Sequence, residues 1–342
     1  MYRVAQWGTG NVGLCALRTI VEHPRMELVG VRVYSDGKAG RDAGDLCGLP
    51  PTGVIATQDI AQIIAARPDC VVYMPNQAEF DVLEQLLSAG INISTSRMEF
   101  NGRDKMDPAV RERLQSACEK GGASLYASGS TPGWFTEVMP LALSAMERSL
   151  ECITITDYAD MASRNSPQML FEVLPFGSDP ALQDPDAPVG TAMSSPPSLS
   201  MVAAALGLPC DEIATKREFA VCRNRVEIPA GTLEPGTIGA MKMEIAAKRD
   251  GRTVIRRQSI WYLTRDVEAA WDLRDTGIHY RVEGDLPLDV MFTIPVSDEE
   301  YPNVSPALTA NPVVNAVPFV CDASPGLKQT DEMPLLRGYH GE

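Results

Sequence analysis

Along the first 130 or so residues, short apolar runs alternate with stretches in which apolar residues return every three or four positions. Val4-Ala5-Gln6-Trp7, Leu28 to Tyr34, Cys70 to Met74, Ile91 to Thr95 and Ser124 to Ala127 have the length and composition of buried strands. Leu14, Leu17, Ile20 and Val21 share one helical face. Further helices are predicted after a cap at Asp59, over Ala78 to Ala89 with Gly90 at its end, and from Asp107-Pro108 to Gly121-Gly122. Strands that alternate with helices predict a doubly wound parallel sheet.

The pattern changes after Ala127. Ser128-Gly129-Ser130-Thr131-Pro132-Gly133 is a turn cluster, followed by a helix through Met139 and Leu143 toward Arg148 and a strand over Ile153 to Tyr158. Phe176 to Ser200 is crowded with Pro, Asp, Gly and Ser, which predicts a loop excursion or a lid. Met241, Met243, Ile245 and Ala247 then alternate with Lys242, Glu244, Ala246 and Lys248 up to Asp250-Gly251, a hairpin turn, and Val254 to Leu263 returns. Strands follow near His279 to Val282 and Val290 to Ile294. Asn311 to Leu327 is apolar and punctuated by prolines, as expected of a closing segment that returns to the first domain. The fold class expected is α/β, with a second α+β domain built on a mainly antiparallel sheet. The expected divisions are 1–127, 128–305 and 306–342.

Between the first strand and the first helix lies Gly8-Thr9-Gly10-Asn11-Val12-Gly13. Gly-x-Gly-x-x-Gly is a weak pattern alone. After a strand, before a helix and at the head of an alternating α/β region, it becomes the fingerprint of a Rossmann dinucleotide site. Gly8 permits the tight turn, Gly10 lets backbone approach a pyrophosphate, and Gly13 lets the helix pack on the strand. The helix N-terminus supplies free amides and a positive dipole end.

The end of the second strand distinguishes the cofactors. An acidic residue there pairs with the ribose hydroxyls of NAD. Tyr34 and Ser35 stand in its place, with Lys38 and Arg41 close behind. Ser35 can donate to a 2′-phosphate that the two cations neutralise, so NADP(H) is favoured; Asp36 keeps NAD(H) as the alternative. Asn76 and Thr95 follow strands and belong where the nicotinamide ribose passes.

Charge and composition narrow the class. A net charge of −15 repels phosphate backbones, which argues against nucleic-acid and anionic-membrane partners. No unbroken apolar run approaches the roughly 18 to 20 residues of a membrane span, and no secretory signal is visible, so a cytoplasmic protein is expected. The eight cysteines and three histidines have no metal-ligand spacing, so no metal site is expected.

The fingerprint, the loop from Tyr34 to Gly44, the turn Gly129-Ser130-Thr131-Pro132-Gly133 and the stretch Asn311-Pro312-Val313-Val314-Asn315-Ala316-Val317-Pro318 together carry a resemblance. The chain resembles the dihydrodipicolinate reductase-like superfamily, and within it the 2,4-diaminopentanoate dehydrogenase and native amine dehydrogenase group. The resemblance implies a Rossmann domain joined to a substrate and dimerisation domain, hence a homodimer, and a small carbonyl or amine substrate. It also implies one catalytic glutamate, here Glu99, just past a parallel strand. Such a carboxylate can take a proton from ammonium and stabilise an iminium cation. Asn315 is implied for the nicotinamide amide. Thr131 replaces the family's Asn, and the reductase signature of two histidines followed by lysine has no counterpart.

Thr131, in the turn, Trp134, after Pro132-Gly133, and His279, on a strand, are candidates to line a substrate pocket. Arg164 and Asn165 stand where pocket tyrosines are usual in amine dehydrogenases, which suggests a more polar or anionic substrate. Three functions compete. One is reductive amination of a small ketone or aldehyde and its reverse. Another is reduction of a preformed imine, enamine or carbonyl without ammonia. The third is a non-catalytic NADP-binding sensor.

Overall fold

The computed structural model describes residues 1–184, 196–297 and 299–339. In chain order it begins with β1 (Tyr2–Trp7), α1 (Asn11–Glu22), β2 (Met26–Arg32), α2 (Ala43–Cys47), α3 (Ile60–Ala65), β3 (Cys70–Tyr73) and α4 (Phe80–Ser88). Then come β4 (Asn92–Thr95), α5 (Pro108–Gly121), β5 (Ser124–Ala127), α6 (Met139–Ser144), β6 (Leu150–Asp160), α7 (Pro196–Ala205) and β7 (Glu212–Val221). The remainder is β8 (Val226–Ile228), β9 (Gly231–Leu233), β10 (Ile238–Arg249), β11 (Arg252–Tyr262), β12 (Gly277–Gly284), β13 (Leu288–Phe292), α8 (Tyr301–Asp322) and β14 (Gly326–Lys328). The excursion expected over Phe176 to Ser200 lies partly outside the described residues.

The chain forms two compact units, Met1–Val138 with Glu299–Glu342, and Met139–Asp298. These divisions differ from the expected 127/128 and 305/306. The segment after β5 stays with the first unit because Ser130 shares a hydrogen bond with Thr309 at 2.8 Å, and Glu137 accepts from Asn101 and Thr330.

In the first unit six strands lie in the order β14-β5-β4-β3-β1-β2, every pairing parallel. Side chains of a strand point alternately to its two faces, so both faces need cover. On one face Val4, Cys70 and Val72 pack with Ala16 and Ile20 of α1 and Val313, Val314 and Val317 of α8. On the other, Ala5, Trp7, Val71 and Tyr73 pack with Leu83, Leu86 and Leu87 of α4 and Leu114 and Cys118 of α5. Asp59 caps α3 through Ala61 N at 2.8 Å, and Asp107 caps α5 through Ala109 N and Val110 N.

The closing segment belongs to the first unit and is helical despite its prolines. Residues 301–322 are one helix with Pro306, Pro312 and Pro318 inside it. Each interior proline removes a hydrogen bond. Ala310, Val313, Val314, Ala316, Val317 and Val320 are nevertheless fully buried, and Ser94 Oγ donates to the Val313 carbonyl at 2.6 Å. That apolar burial outweighs the lost bonds. Among the described residues α8 is the one helix long and apolar enough to cross a membrane by length and composition; those six residues instead sit in the core of the first unit.

The second unit is built on six strands in the order β13-β12-β6-β11-β10-β7, antiparallel except for β6 with β11. Asp250 and Gly251, both at positive φ, form the hairpin turn between β10 and β11. Met241 and Met243 share a buried cluster with Leu170, Leu174, Phe176 and Leu263. The expected fold class is borne out in both units.

A candidate dinucleotide cleft in the first unit

Strand order in the first sheet reverses at β1, which has β2 on one side and β3 on the other. Crevices at such switch points, beyond the carboxyl ends of the strands, receive ligands. A cleft of about 620 Å³ opens there, lined by Gly8, Thr9, Gly10, Tyr34, Ser35, Lys38, Met74, Pro75, Asn76, Gln77 and Glu79.

Each fingerprint glycine meets a different constraint. Gly8 sits at φ +87, and a Cβ there would lie 2.7 Å from the Met74 carbonyl oxygen. A Cβ on Gly13 would lie 2.2 Å from the Gly8 carbonyl oxygen. A Cβ on Gly10 meets nothing within 4 Å, so this position faces open space. Gly10 precedes α1 without a side-chain cap, and the first intrahelical bond is Leu14 N to the Gly10 carbonyl at 2.8 Å. The amides of Asn11, Val12 and Gly13 therefore have no acceptor within the helix. Buried Gln6 fixes the turn by donating Nε2 to the Gly8 carbonyl at 2.8 Å. Open space, unclaimed amides and a helix N-terminus together fit a diphosphate.

Lys38 Nζ donates to the Thr9 carbonyl at 2.6 Å, which sets its charge beside this turn. Ser35 shares the wall. Asp36 is turned to Gln58 Nε2 at 3.0 Å, and Arg41 reaches the Asp45 carbonyl at 3.5 Å; neither lines the cleft.

Tyr34 and Glu79, not singled out from the sequence as ligands, face each other across the rim. The Tyr34 hydroxyl donates to Glu79 Oε1 and accepts from Trp7 Nε1 at 3.0 Å. Burial and the bond to Glu79 raise the Tyr34 phenol well above its ordinary range. Burial pushes Tyr73, whose hydroxyl accepts from Glu79 N at 2.9 Å, up to about 12.

Glu99 lies in a short 3₁₀ turn, Met98–Phe100, just past β4, with its side chain 35% exposed. Both of its oxygens are held by Arg97, Oε2 by Nε at 3.1 Å and Oε1 by Nη2 at 2.5 Å. Arg97 Nη1 also donates to the carbonyl of Asn76 at 2.7 Å. One arginine thus ties Glu99 to a residue of the cleft wall. Sequence periodicity gave no sign of that link.

The other expected site residues are dispersed. Thr95 is buried, donates to the Tyr73 carbonyl at 2.7 Å and accepts from Arg97 N at 3.0 Å, so it braces two strand ends outside the cleft wall. Asn315 lies half-buried on α8. Thr131 and Trp134 are half-buried in the segment after β5, Trp134 edge-on to Phe135 at 5.2 Å between centroids. In the second unit Arg164 and Asn165 are exposed, while His279 is buried on β12 and pairs with Asp289 at 2.9 Å. Among the described residues no cluster of three or more His, Cys, Asp or Glu could hold a metal ion.

Residues 187–342 match the 2,4-diaminopentanoate dehydrogenase C-terminal domain. An amine dehydrogenase of Streptomyces virginiae is 29% identical over 351 aligned positions, covering 98% of this chain and 97% of that protein. Among solved structures, an amine dehydrogenase from Mycobacterium smegmatis superposes with a TM-score of 0.72 at 20% identity, covering 99% of this chain and 97% of that one. A dihydrodipicolinate reductase from Paenisporosarcina sp. TG-14 has the same fold at a TM-score of 0.50 and 14% identity, covering 97% of this chain and 98% of that one. The chain is a dehydrogenase-type oxidoreductase, similar over nearly its whole length to an amine dehydrogenase and over residues 187–342 to the 2,4-diaminopentanoate dehydrogenase C-terminal domain.

Proposed function

We propose that the protein uses NADP(H) to interconvert a small ketone or aldehyde plus ammonia with the corresponding amine. The observation that carries this is the cleft itself. An open Gly10, free amides at the start of α1, and Ser35 and Lys38 in one wall receive a phosphorylated dinucleotide, while Asp36 is taken up by Gln58. The near full-length likeness to an amine dehydrogenase supports the chemistry.

When bound, the nicotinamide supplies or accepts a hydride. The chain's own residues do the rest. The backbone of Gly8 to Gly13 holds the diphosphate, and Lys38 offsets its charge. Glu99, carried beside the wall by Arg97 and Asn76, accepts a proton from ammonium on an oxygen that Arg97 first releases, passes it to the carbonyl-derived oxygen that leaves as water, and as a carboxylate again favours the cationic C=N that results. The bidentate Arg97 fork also favours a second reading, in which Glu99 only orients a preformed imine or carbonyl and no ammonia is consumed.

NADPH oxidation over a panel of ketones, with and without ammonium, separates the two. The first reading requires ammonium-dependent turnover and a Glu99→Gln variant slowed by about 10²-fold or more. Ammonium-independent turnover, or full activity in Glu99→Gln, overturns it.

A further inference from the structure

The amino end of β3 and the last turn of α8 bring together two thiols from distant parts of the sequence. Cys70 opens β3 and is fully buried, while Cys321, the penultimate residue of α8, is half-buried. Cys321 Sγ donates to the Asp69 carbonyl at 3.7 Å, in the peptide unit that leads into Cys70. The two thiols also share a hydrogen bond, and both belong to the apolar cluster that α8 forms with β1, β3 and α1. Both are free.

Their surroundings divide the work. Burial and the neighbouring sulfur keep the Cys70 thiol protonated and out of reach of reagents in solution. Cys321 is the sulfur that solvent reaches. A disulfide needs the sulfurs to close to about 2.05 Å, which asks for a small shift of one of them. The end of α8 can supply it: Ala323 N holds the Val320 carbonyl by a long bond of 3.4 Å, and the chain then leaves the helix in an extended conformation.

We propose that Cys70 and Cys321 form a redox modification site whose disulfide staples α8 to β3. Hydrogen peroxide transfers one oxygen to Cys321 Sγ: the O–O bond breaks, the sulfur becomes a sulfenic acid, and the other oxygen leaves as water. The Cys70 sulfur then attacks Cys321 Sγ, the S–O bond breaks, and the sulfenic oxygen leaves as a second water with the Cys70 proton. Two thiols and one peroxide thus become one disulfide and two waters. The first unit is assembled from both sides of the second, and its returning segment is held there without a covalent tie. The disulfide adds that tie and closes a very long loop, which restricts the unfolded chain strongly. Met74, at the other end of β3, is the residue of this strand's path that lines the cleft, roughly 13 Å from Cys70 along the strand. The lock therefore acts on stability and leaves the cleft as it is, whichever cofactor the cleft takes.

The test treats the reduced full chain with millimolar hydrogen peroxide, then denatures it and caps the remaining thiols with N-ethylmaleimide. Peptide mass spectrometry of wild type should find Cys70 joined to Cys321, with Cys118, Cys152 and Cys222 capped. The oxidised protein should melt about 5 °C or more above the reduced one, and dithiothreitol should reverse both changes. Cys321→Ser forms no link and gains nothing in melting temperature. Cys70→Ala leaves Cys321 without a resolving thiol, so that sulfur advances to sulfinic acid. Circular dichroism checks folding; should Cys70→Ala not fold, Cys321→Ser decides, because it changes a partly exposed side chain at a helix end. NADPH affinity should be the same in reduced and oxidised wild type. Recovery of Cys70 and Cys321 both capped, sulfinic acid on Cys321 of wild type, or a link that leaves the melting temperature unchanged overturns the inference. Weaker NADPH binding by the oxidised form overturns its separation from the cleft.

Discussion

Replacing Gly10 by alanine separates the binding site from the fold. The backbone there is ordinary, at φ −72 and ψ −174, and an added Cβ meets nothing within 4 Å. Alanine restricts the unfolded chain, a gain of about 0.4–1 kcal/mol. It is also a poorer N-cap than glycine by a comparable few tenths to 1 kcal/mol or so. The two nearly cancel, and folding stability changes by less than about 1 kcal/mol. Ligand binding is different. A diphosphate seated on the amides at the start of α1 is displaced by a methyl group at its point of closest approach. Losing one charge-assisted hydrogen bond, at about 1.5–3 kcal/mol, weakens NADPH binding by roughly ten- to a hundredfold. Gly13→Ala is the contrast, because its Cβ would sit 2.2 Å from the Gly8 carbonyl oxygen. Relieving that overlap costs about 1–3 kcal/mol and lowers the melting temperature by several degrees. The assay pairs thermal melts with NADPH titration for both variants. Wild-type affinity in Gly10→Ala, or destabilisation of both variants alike, refutes the reasoning.

Gln6→Leu removes the donor to the Gly8 carbonyl and leaves that oxygen without its partner; a stability loss of about 1–3 kcal/mol by urea titration, with weaker NADPH binding, is expected. The Asp42 carboxyl is held below the usual carboxylate range by the Thr52, Gly44 and Gly53 amides. With its folded pKa depressed, Asp42 contributes stability that is fully present above the unfolded value of about 3.9 and lost as pH falls through the lower folded one. Asp42→Asn should therefore melt below wild type at pH 7, with the gap closing only below about pH 4; a gap independent of pH contradicts this. All eight cysteines are free, and burial raises the thiols of Cys70, Cys118, Cys152 and Cys222, that of Cys118 to about 12. A thiol reagent applied to native protein at pH 8 should leave these four unmodified until denaturant is added, as mass spectrometry would show.

Much of the first unit was legible because its constraints are local. A Gly8 that needs positive φ, a Gly13 against which a carbonyl is packed, and caps at Asp59 and Asp107 all leave marks in the sequence. α8 was not legible, since Pro306, Pro312 and Pro318 announce breaks that burial of its valine-rich face overrides. β7 was missed because Lys216, Arg217 and Glu218 interrupt its pattern. Within the sheet Glu218 is matched by Lys216 at 2.7 Å and by Lys242 of β10 at 3.5 Å. The site's chemistry was half legible. Ser35 and Lys38 follow a strand end, where a ligand wall can be expected. The Tyr34–Glu79 bond joins residues 45 apart, and the Arg97 fork on Glu99 depends on a 3₁₀ turn; neither leaves a periodic signal. His279 is a buried strand histidine partnered by Asp289, a placement legible from its position in a predicted strand.

Amide hydrogen exchange of the full chain, with and without saturating NADPH, tests the seat of the dinucleotide most directly. Added protection should concentrate at residues 8–14, 34–38 and 74–79, the three strand-end loops that line the cleft. Protection elsewhere with these segments unchanged, or none at millimolar NADPH or NADH, would contradict the assignment.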